Sequence, residues 1–232
     1  GPNNKGGESE TIIGAWFKKS GKRDKVVLAT KVGHEMTPEK KGLSAAHILR
    51  SVDESLVRLQ TDYIDLYQSH KDDLSVAPDE TLRAYQKLIE QGKVRAIGAS
   101  NFTAERLALS LQTAKDAGLP RYCSLQPEYN LYDRAGFEAE LMPLCVQENV
   151  GVISYYSLAR GFLSGKYRSE ADLGKSVRGA RVAEVYFNPR GFRILDALDS
   201  IASAHNSNPA RIALAWLMQR PAITAPIASA TT

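Results

Sequence analysis

The chain has 232 residues, 43% of them apolar and 24% charged, with a net charge of +4. That apolar share supports a large core and excludes a disordered chain, and the length fits one α/β domain. Lys and Arg are interleaved with Asp and Glu, so the mild positive balance favours a phosphate-bearing small molecule and excludes a nucleic-acid face.

Residues 1–10 read as a loop leading into a helix over about Thr11 to Ser20. The apolar run Val26-Val27-Leu28-Ala29-Thr30 predicts a strand stopping at Lys31, followed by a loop with Gly33, Pro38 and Gly42. Within that loop the charge run Glu39, Lys40, Lys41 is expected to be solvated. A helix begins near Ser44, with Ala45, Ile48, Leu49, Val52, Leu56 and Leu59 spaced for one buried face. Tyr63 to Ser69 forms a second strand, stopping at His70. Pro78-Asp79-Glu80 opens a helix with negative charge in its first turn, and Gly92 closes it. Val94 to Ala99 forms a third strand ending at Ser100-Asn101. Thr103 caps the next helix, which ends at Gly118-Leu119-Pro120. Ser124-Leu125 leads to Gln126, a helix spans about Phe137 to Glu148, and Val150 to Ser154 is a strand stopping at Tyr155. Strand starts recur every ~30 residues, the length of one strand-plus-crossover-helix unit, so an α/β fold with a parallel sheet is expected.

Beyond Tyr155 the rhythm breaks. A loop rich in Gly, Ser, Lys and Arg is expected from Ala159 to about Arg190, ahead of a helix at Phe192. Asn208-Pro209 starts another helix by cap and N1 proline, and Pro221 to Ile227 reads as a sixth strand. Cys123 and Cys145 are expected as buried reduced thiols of a cytoplasmic protein. Trp16 and Trp216 are expected as core or helix–sheet contacts, and Tyr129 and Tyr132 as packing or rim residues. Asp72 and Asp73, just past His70, could rim a substrate mouth or cap a loop, and the rim is slightly favoured. No apolar stretch approaches a membrane span, and no secretory leader opens the sequence.

In a parallel α/β protein the strand C-termini share one face. Lys31, His70, Ser100, Asn101, Gln126 and Tyr155 are thus expected to converge on one active site. Taken singly, each has a plainer reading: a solvated strand-end lysine, a satisfied buried histidine, loop-capping amides. Their shared position at strand ends carries the functional one.

In this order, Gly7-Glu8-Ser9-Glu10, Ala29-Thr30-Lys31, Tyr63 to His70, Gly92 to Phe102, Leu125 to Asn130 and Gly161 to Tyr167 resemble the aldo-keto reductases. That family comprises NADPH-dependent (β/α)8 TIM-barrel oxidoreductases. The likeness covers essentially the whole chain and is nearest to bacterial members of the branch that includes potassium-channel β subunits. It implies a single barrel domain over 1–232. Six strands are two short of eight, so the sequence is expected to lack the first strands and a C-terminal segment.

The resemblance implies an Asp, Tyr, Lys, His catalytic set. Lys31 and His70 match its last two members. The Asp and Tyr belong shortly before the Gly-x-Ser-Glu segment, so neither is assigned here. A tyrosine can protonate the alkoxide formed as hydride reaches a carbonyl carbon, but its pKa near 10 makes the phenolate costly. An ammonium such as that of Lys31 favours the phenolate, and His70 can orient the substrate oxygen. By the same resemblance Ser100, Asn101 and Gln126 grip the nicotinamide carboxamide and Tyr155 stacks on its ring. Tyr156, Ser157, Leu158, Ala159, Arg160 and Gly161 present backbone to the pyrophosphate, Lys166 and Arg178 add charge, and Ser229, Ala230 and Thr231 approach the ribose phosphate. Many members read Tyr-Ser-Pro-Leu where this chain reads Tyr155-Tyr156-Ser157-Leu158.

The implied function is NADPH-dependent reduction of aldehydes or ketones, with a small carbonyl compound as partner and no metal. A non-catalytic or slow NADPH-binding redox-sensing module is the alternative. A Schiff-base barrel built on Lys31 fits less well, because that chemistry has no need of Ser100, Asn101 and Gln126 together.

Overall fold

The computed structural model describes residues 6–37 and 40–229, which group into two compact units, Gly1–Leu125 and Gln126–Thr232. In the first unit, helix α1 (Glu8–Ser20) begins three residues ahead of the expected Thr11. Gly7 sets its start at φ 88°, and Glu8 and Glu10 in the first turn complement the helix dipole. Strand β1 (Ala29–Val32) starts later than the apolar run and holds Lys31 inside it. Side-chain bonds explain the delay: Arg23 donates locally to Val26 O at 3.0 Å, and the Asp65 carboxylate, distant in sequence, accepts Leu28 N–H at 2.9 Å. Val27 is left 81% exposed.

Helix α2 (Ala45–Leu59) starts where Ser44 accepts His47 N–H, and it buries Ile48, Val52 and Leu59 as one stripe. Strand β2 (Ile64–Ser69), helix α3 (Pro78–Glu90), strand β3 (Val94–Ser100) and helix α4 (Ala104–Ala117) follow the expected alternation. Thr103 caps α4, and Gly118 ends it at φ 63°. Strand β4 (Ser124–Gln126) closes the series, with Cys123 N–H donating to Ile97 O at 2.9 Å. The strands β1, β2 and β3 pair in parallel. Glycine is required at Gly98, where a Cβ would stand 2.3 Å from Ser124 Oγ and 3.1 Å from Gln68 Cγ. Ile64, Tyr67, Leu82, Tyr85 and Leu88 are fully buried in the core, and Ser69 Oγ bonds the Tyr85 and Tyr122 hydroxyls at 2.8 and 2.9 Å.

The second unit departs more from expectation. The single helix expected over Phe137 to Glu148 is two, α5 (Ala135–Glu138) and α6 (Leu141–Gln147). Pro143 accounts for the break, since its ring cannot accept a helix continuing from Ala139. Strand β5 (Gly151–Ser154) comes next. The expected long loop is folded: 3-10 turns at Ala159–Ser164 and Glu170–Lys175 precede helix α7 (Gly179–Tyr186). Helix α8 (Pro189–Ala204) starts ahead of Phe192 because Asn188 accepts Gly191 N–H at 3.0 Å. Helix α9 (Pro209–Met218), capped by Asn208, leads to strand β6 (Ile223–Pro226), which pairs in parallel with β5. Phe162, Leu163, Tyr167, Val182, Tyr186, Leu195 and Leu198 form this unit's core, with Phe162 stacked on Tyr186 at 5.2 Å.

Several single-residue expectations are corrected. Both cysteines are free, but only Cys145 is buried, where burial pushes its thiol up to about 11; Cys123 is exposed. Trp16 is 46% exposed on α1, whereas Trp216 packs on Tyr129, with Arg134 and Arg220 over its ring. Lys40 is paired with Glu54 at 2.8 Å, while Pro38 and Glu39 lie outside the described residues. No helix among the described residues is long and apolar enough to cross a membrane.

Candidate active site

At the end of β2, His70 N–H donates to Val32 O at 2.8 Å and His70 O accepts from Asn101 Nδ2 at 2.9 Å. Asn101 takes φ 56°, a left-handed conformation that asparagine tolerates, and its amide also donates to Ser100 Oγ at 3.1 Å. The ends of β1, β2 and β3 thus bring His70, Ser100 and Asn101 together, while Lys31 and His70 line one cavity of about 590 Å3. His34, His47, Glu10 and Arg58 line it too. Glu10 accepts from Thr30 Oγ1 at 2.5 Å and Arg58 Nε at 2.7 Å, which ties α1 to β1 and α2.

Partial burial pulls the Lys31 ammonium below the usual lysine range. It also pulls His70 down to about 4, helped by the electrostatic influence of neighbouring Lys31 and His34. His70 is therefore a neutral imidazole at neutral pH, with one N–H and one lone pair. Asp72 and Asp73 turn out to hold the loop. Asp72 takes a bidentate pair from Arg106 at 2.8 and 3.0 Å, and Asp73 accepts Leu43 N–H at 2.9 Å and Ser75 Oγ at 2.6 Å.

In the second unit, Tyr155 N–H donates to Pro127 O at 2.9 Å, which sets Tyr155 beside the segment that follows Gln126. Asn130 is fully buried; it donates to Tyr156 O at 3.1 Å and accepts Tyr132 N–H at 2.8 Å, fixing the turn after β5. Ser157 donates its hydroxyl to Ser154 O at 3.0 Å, a side-chain tie across the turn. Tyr156, Ala159, Arg160 and Gly161 all have positive φ, between 47° and 98°. The Arg160 guanidinium lies 3.9 Å over the Tyr156 ring, and that of Arg178 lies 6.0 Å from it. Burial raises the pKa of Glu128, whose carboxylate is 3.9 Å from Arg160. Ile227 N–H donates to Ser154 O at 2.8 Å, and exposed Ser229 follows two residues on; Ala230 and Thr231 lie outside the described residues.

Sequence reasoning missed His34, the Glu10–Thr30–Arg58 network, and Glu128. His34 was within reach, since it follows Lys31 by three residues; the others depend on contacts distant in sequence. Among the described residues no group of three or more His, Cys, Asp or Glu could hold a metal ion.

Strands β1, β2 and β3 in the first unit and β5 and β6 in the second pair in parallel, which places the chain among the α/β proteins. The family is settled by comparison. The model of the Aldo/keto reductase family matches residues 5–232, so the chain belongs to that family of oxidoreductases, whose fold is the (β/α)8 barrel; six of its strands are present among the described residues. The aldo-keto reductase YhdN of Bacillus subtilis is 35% identical over 222 residues, covering 93% of this chain and 64% of that protein. The aldo-keto reductase yakc [NADP(+)] of Schizosaccharomyces pombe is 32% identical over 223 residues, 91% of this chain and 63% of that protein. A putative voltage-gated potassium channel subunit beta of the same yeast is 32% identical over 234 residues, 97% of this chain and 68% of that protein. The chain thus spans about two thirds of the length of these relatives.

Lys166 and Arg178, beside the turn after β5, are the groups that would hold the phosphates of a nicotinamide dinucleotide. A Cβ added to Gly161 would lie 2.9 Å from Lys166 Cε and 3.2 Å from Nζ, so the lysine side chain packs against the glycine. Within the turn the N–H groups of Ala159 and Gly161 are bonded to Tyr156 O and Leu158 O at 2.6 and 2.8 Å, so any anion would be held chiefly by the cations beside it.

Proposed function

We propose that the protein carrying this chain is an NADPH-dependent reductase of aldehydes or ketones, cytoplasmic and built as a single barrel domain. The observation that carries the reading is Lys31 and neutral His70 lining one cavity, on neighbouring strand ends. The bound cofactor supplies a hydride for the carbonyl carbon. The chain's own residues do the rest. His70, uncharged, donates to the carbonyl oxygen and orients it as negative charge develops there. Lys31 stabilises the phenolate of the family's tyrosine, which is not assigned among residues 1–232, so that the tyrosine can release its proton to that oxygen. Ser100, Asn101 and Gln126 serve the carboxamide, Tyr155 the nicotinamide ring, and the Tyr156–Gly161 backbone with Lys166 and Arg178 the pyrophosphate; Ser229, Ala230 and Thr231 approach the ribose phosphate.

The test is NADPH oxidation by the full-length protein with a panel of aldehydes. Lys31→Met is expected to lower kcat about 100-fold or more while NADPH still binds. Unchanged turnover in that variant removes Lys31 from the mechanism. Tight NADPH binding with negligible wild-type turnover transfers the support to the redox-sensing alternative.

A further inference from the structure

His34 follows Gly33, where β1 turns away at φ 101°, and its ring centroid lies 5.1 Å from that of His70 with the planes 35° apart. The two segments are joined at their base, since His70 N–H bonds Val32 O, while Gly42 N–H donates to Gly33 O at 3.3 Å. Both rings line the cavity that holds Lys31. His34 is exposed, so its burial contributes little to the fold.

The His70 backbone is pinned at both its N–H and its carbonyl, but its ring is not. Among the described residues no hydrogen bond holds either ring nitrogen, and the terminal torsion of a histidine has broad minima. A neutral imidazole has one donor and one acceptor, so a flipped or swung ring presents the wrong atom to a carbonyl oxygen. Its ring contact among the described residues is with His34.

We propose that His34 is a positioning residue for His70: tilted against it, His34 holds the imidazole plane so that the ring N–H stays aimed at the substrate oxygen. The inference rests on the reductase reading for what His70 addresses, but the ring pair itself does not. Aromatic contact supplies the restraint, so another aromatic residue at 34 should serve and an aliphatic one should not.

Two readouts in the full-length protein test this. In the proton–carbon spectrum of ring-labelled histidine, His34→Ala should shift the His70 ring signals by removing the neighbouring ring current, and His34→Phe should bring them back toward wild type. In steady-state reduction of an aldehyde, His34→Ala should lower kcat about threefold to tenfold with the KM for NADPH unchanged, and His34→Phe should recover most of it. In a His70→Gln background, His34→Ala should have no further effect. Unmoved His70 signals in His34→Ala overturn the ring pair, and an equal kinetic loss in the His70→Gln background overturns positioning through His70. A wild-type protein that reduces no carbonyl defeats the reductase reading and the positioning role with it, while the ring signals still decide the pair.

Discussion

Burial acts on Lys31 and His70 in one direction, disfavouring the ammonium and the imidazolium alike. For His70 this has a stability consequence with a definite sign. Between its ordinary value of 6.5 and the folded value of about 4, the unfolded chain binds a proton that the folded chain refuses. Stability should therefore fall as pH drops through that window and be indifferent to His70 above it. Urea midpoints measured across pH 4 to 7 should show the slope in wild type and a shallower one in His70→Gln. Gly98 gives a second residue-scale expectation. Its absent Cβ leaves the room that Gln68 and Ser124 occupy, so Gly98→Ala should destabilise by about 1–3 kcal/mol through overpacking. A variant as stable as wild type would show that the three strands can separate there at little expense.

At the scale of elements, the loop between β2 and α3 is held from outside by α4. Arg106 sends its fork to Asp72, with side chains only 18% and 11% exposed, and reaches the Asp73 and Val76 carbonyls at 3.4 Å. Arg106→Met would leave that carboxylate half-desolvated without its partner, a loss of about 1–3 kcal/mol in denaturant unfolding. Arg106→Lys should recover little of it, because an ammonium cannot reproduce the bidentate fork. An Arg106→Met protein of wild-type stability would mean that Asp72 is solvated well enough on its own. These contacts also mark what the sequence could reveal. Ser44, Thr103 and Asn208-Pro209 announced α2, α4 and α9 because caps act within four residues of themselves. The late start of β1 was hidden because Arg23 and Asp65 act across ~40 residues of chain. Helix α7 was hidden by its glycine and its arginine, although Val182 and Tyr186 stand one turn apart on its buried side. The strand ends named Lys31 and His70 correctly as neighbours. Whether Asp72 faced substrate or an arginine from another helix was beyond any local signal.

For the whole molecule, the charge excess of +4 matters less than where cations sit. Lys166, packed against Gly161, is a side chain the reductase reading assigns to the cofactor's phosphates. Lys166→Ala should weaken NADPH binding about tenfold, the worth of one charge-assisted contact, with a response that shrinks as salt is raised. An unchanged Kd in titrations of cofactor fluorescence would move the phosphates elsewhere. The chain also holds two tryptophans, and they divide evenly: Trp16 in the Gly1–Leu125 unit and Trp216 in the Gln126–Thr232 unit. Trp16, nearly half exposed, should emit to the red and be readily quenched by acrylamide, whereas Trp216 lies among Tyr129, Arg134 and Arg220. Each unit thus contains its own optical reporter, and replacing one indole with phenylalanine lets the melting of the other unit be watched by itself.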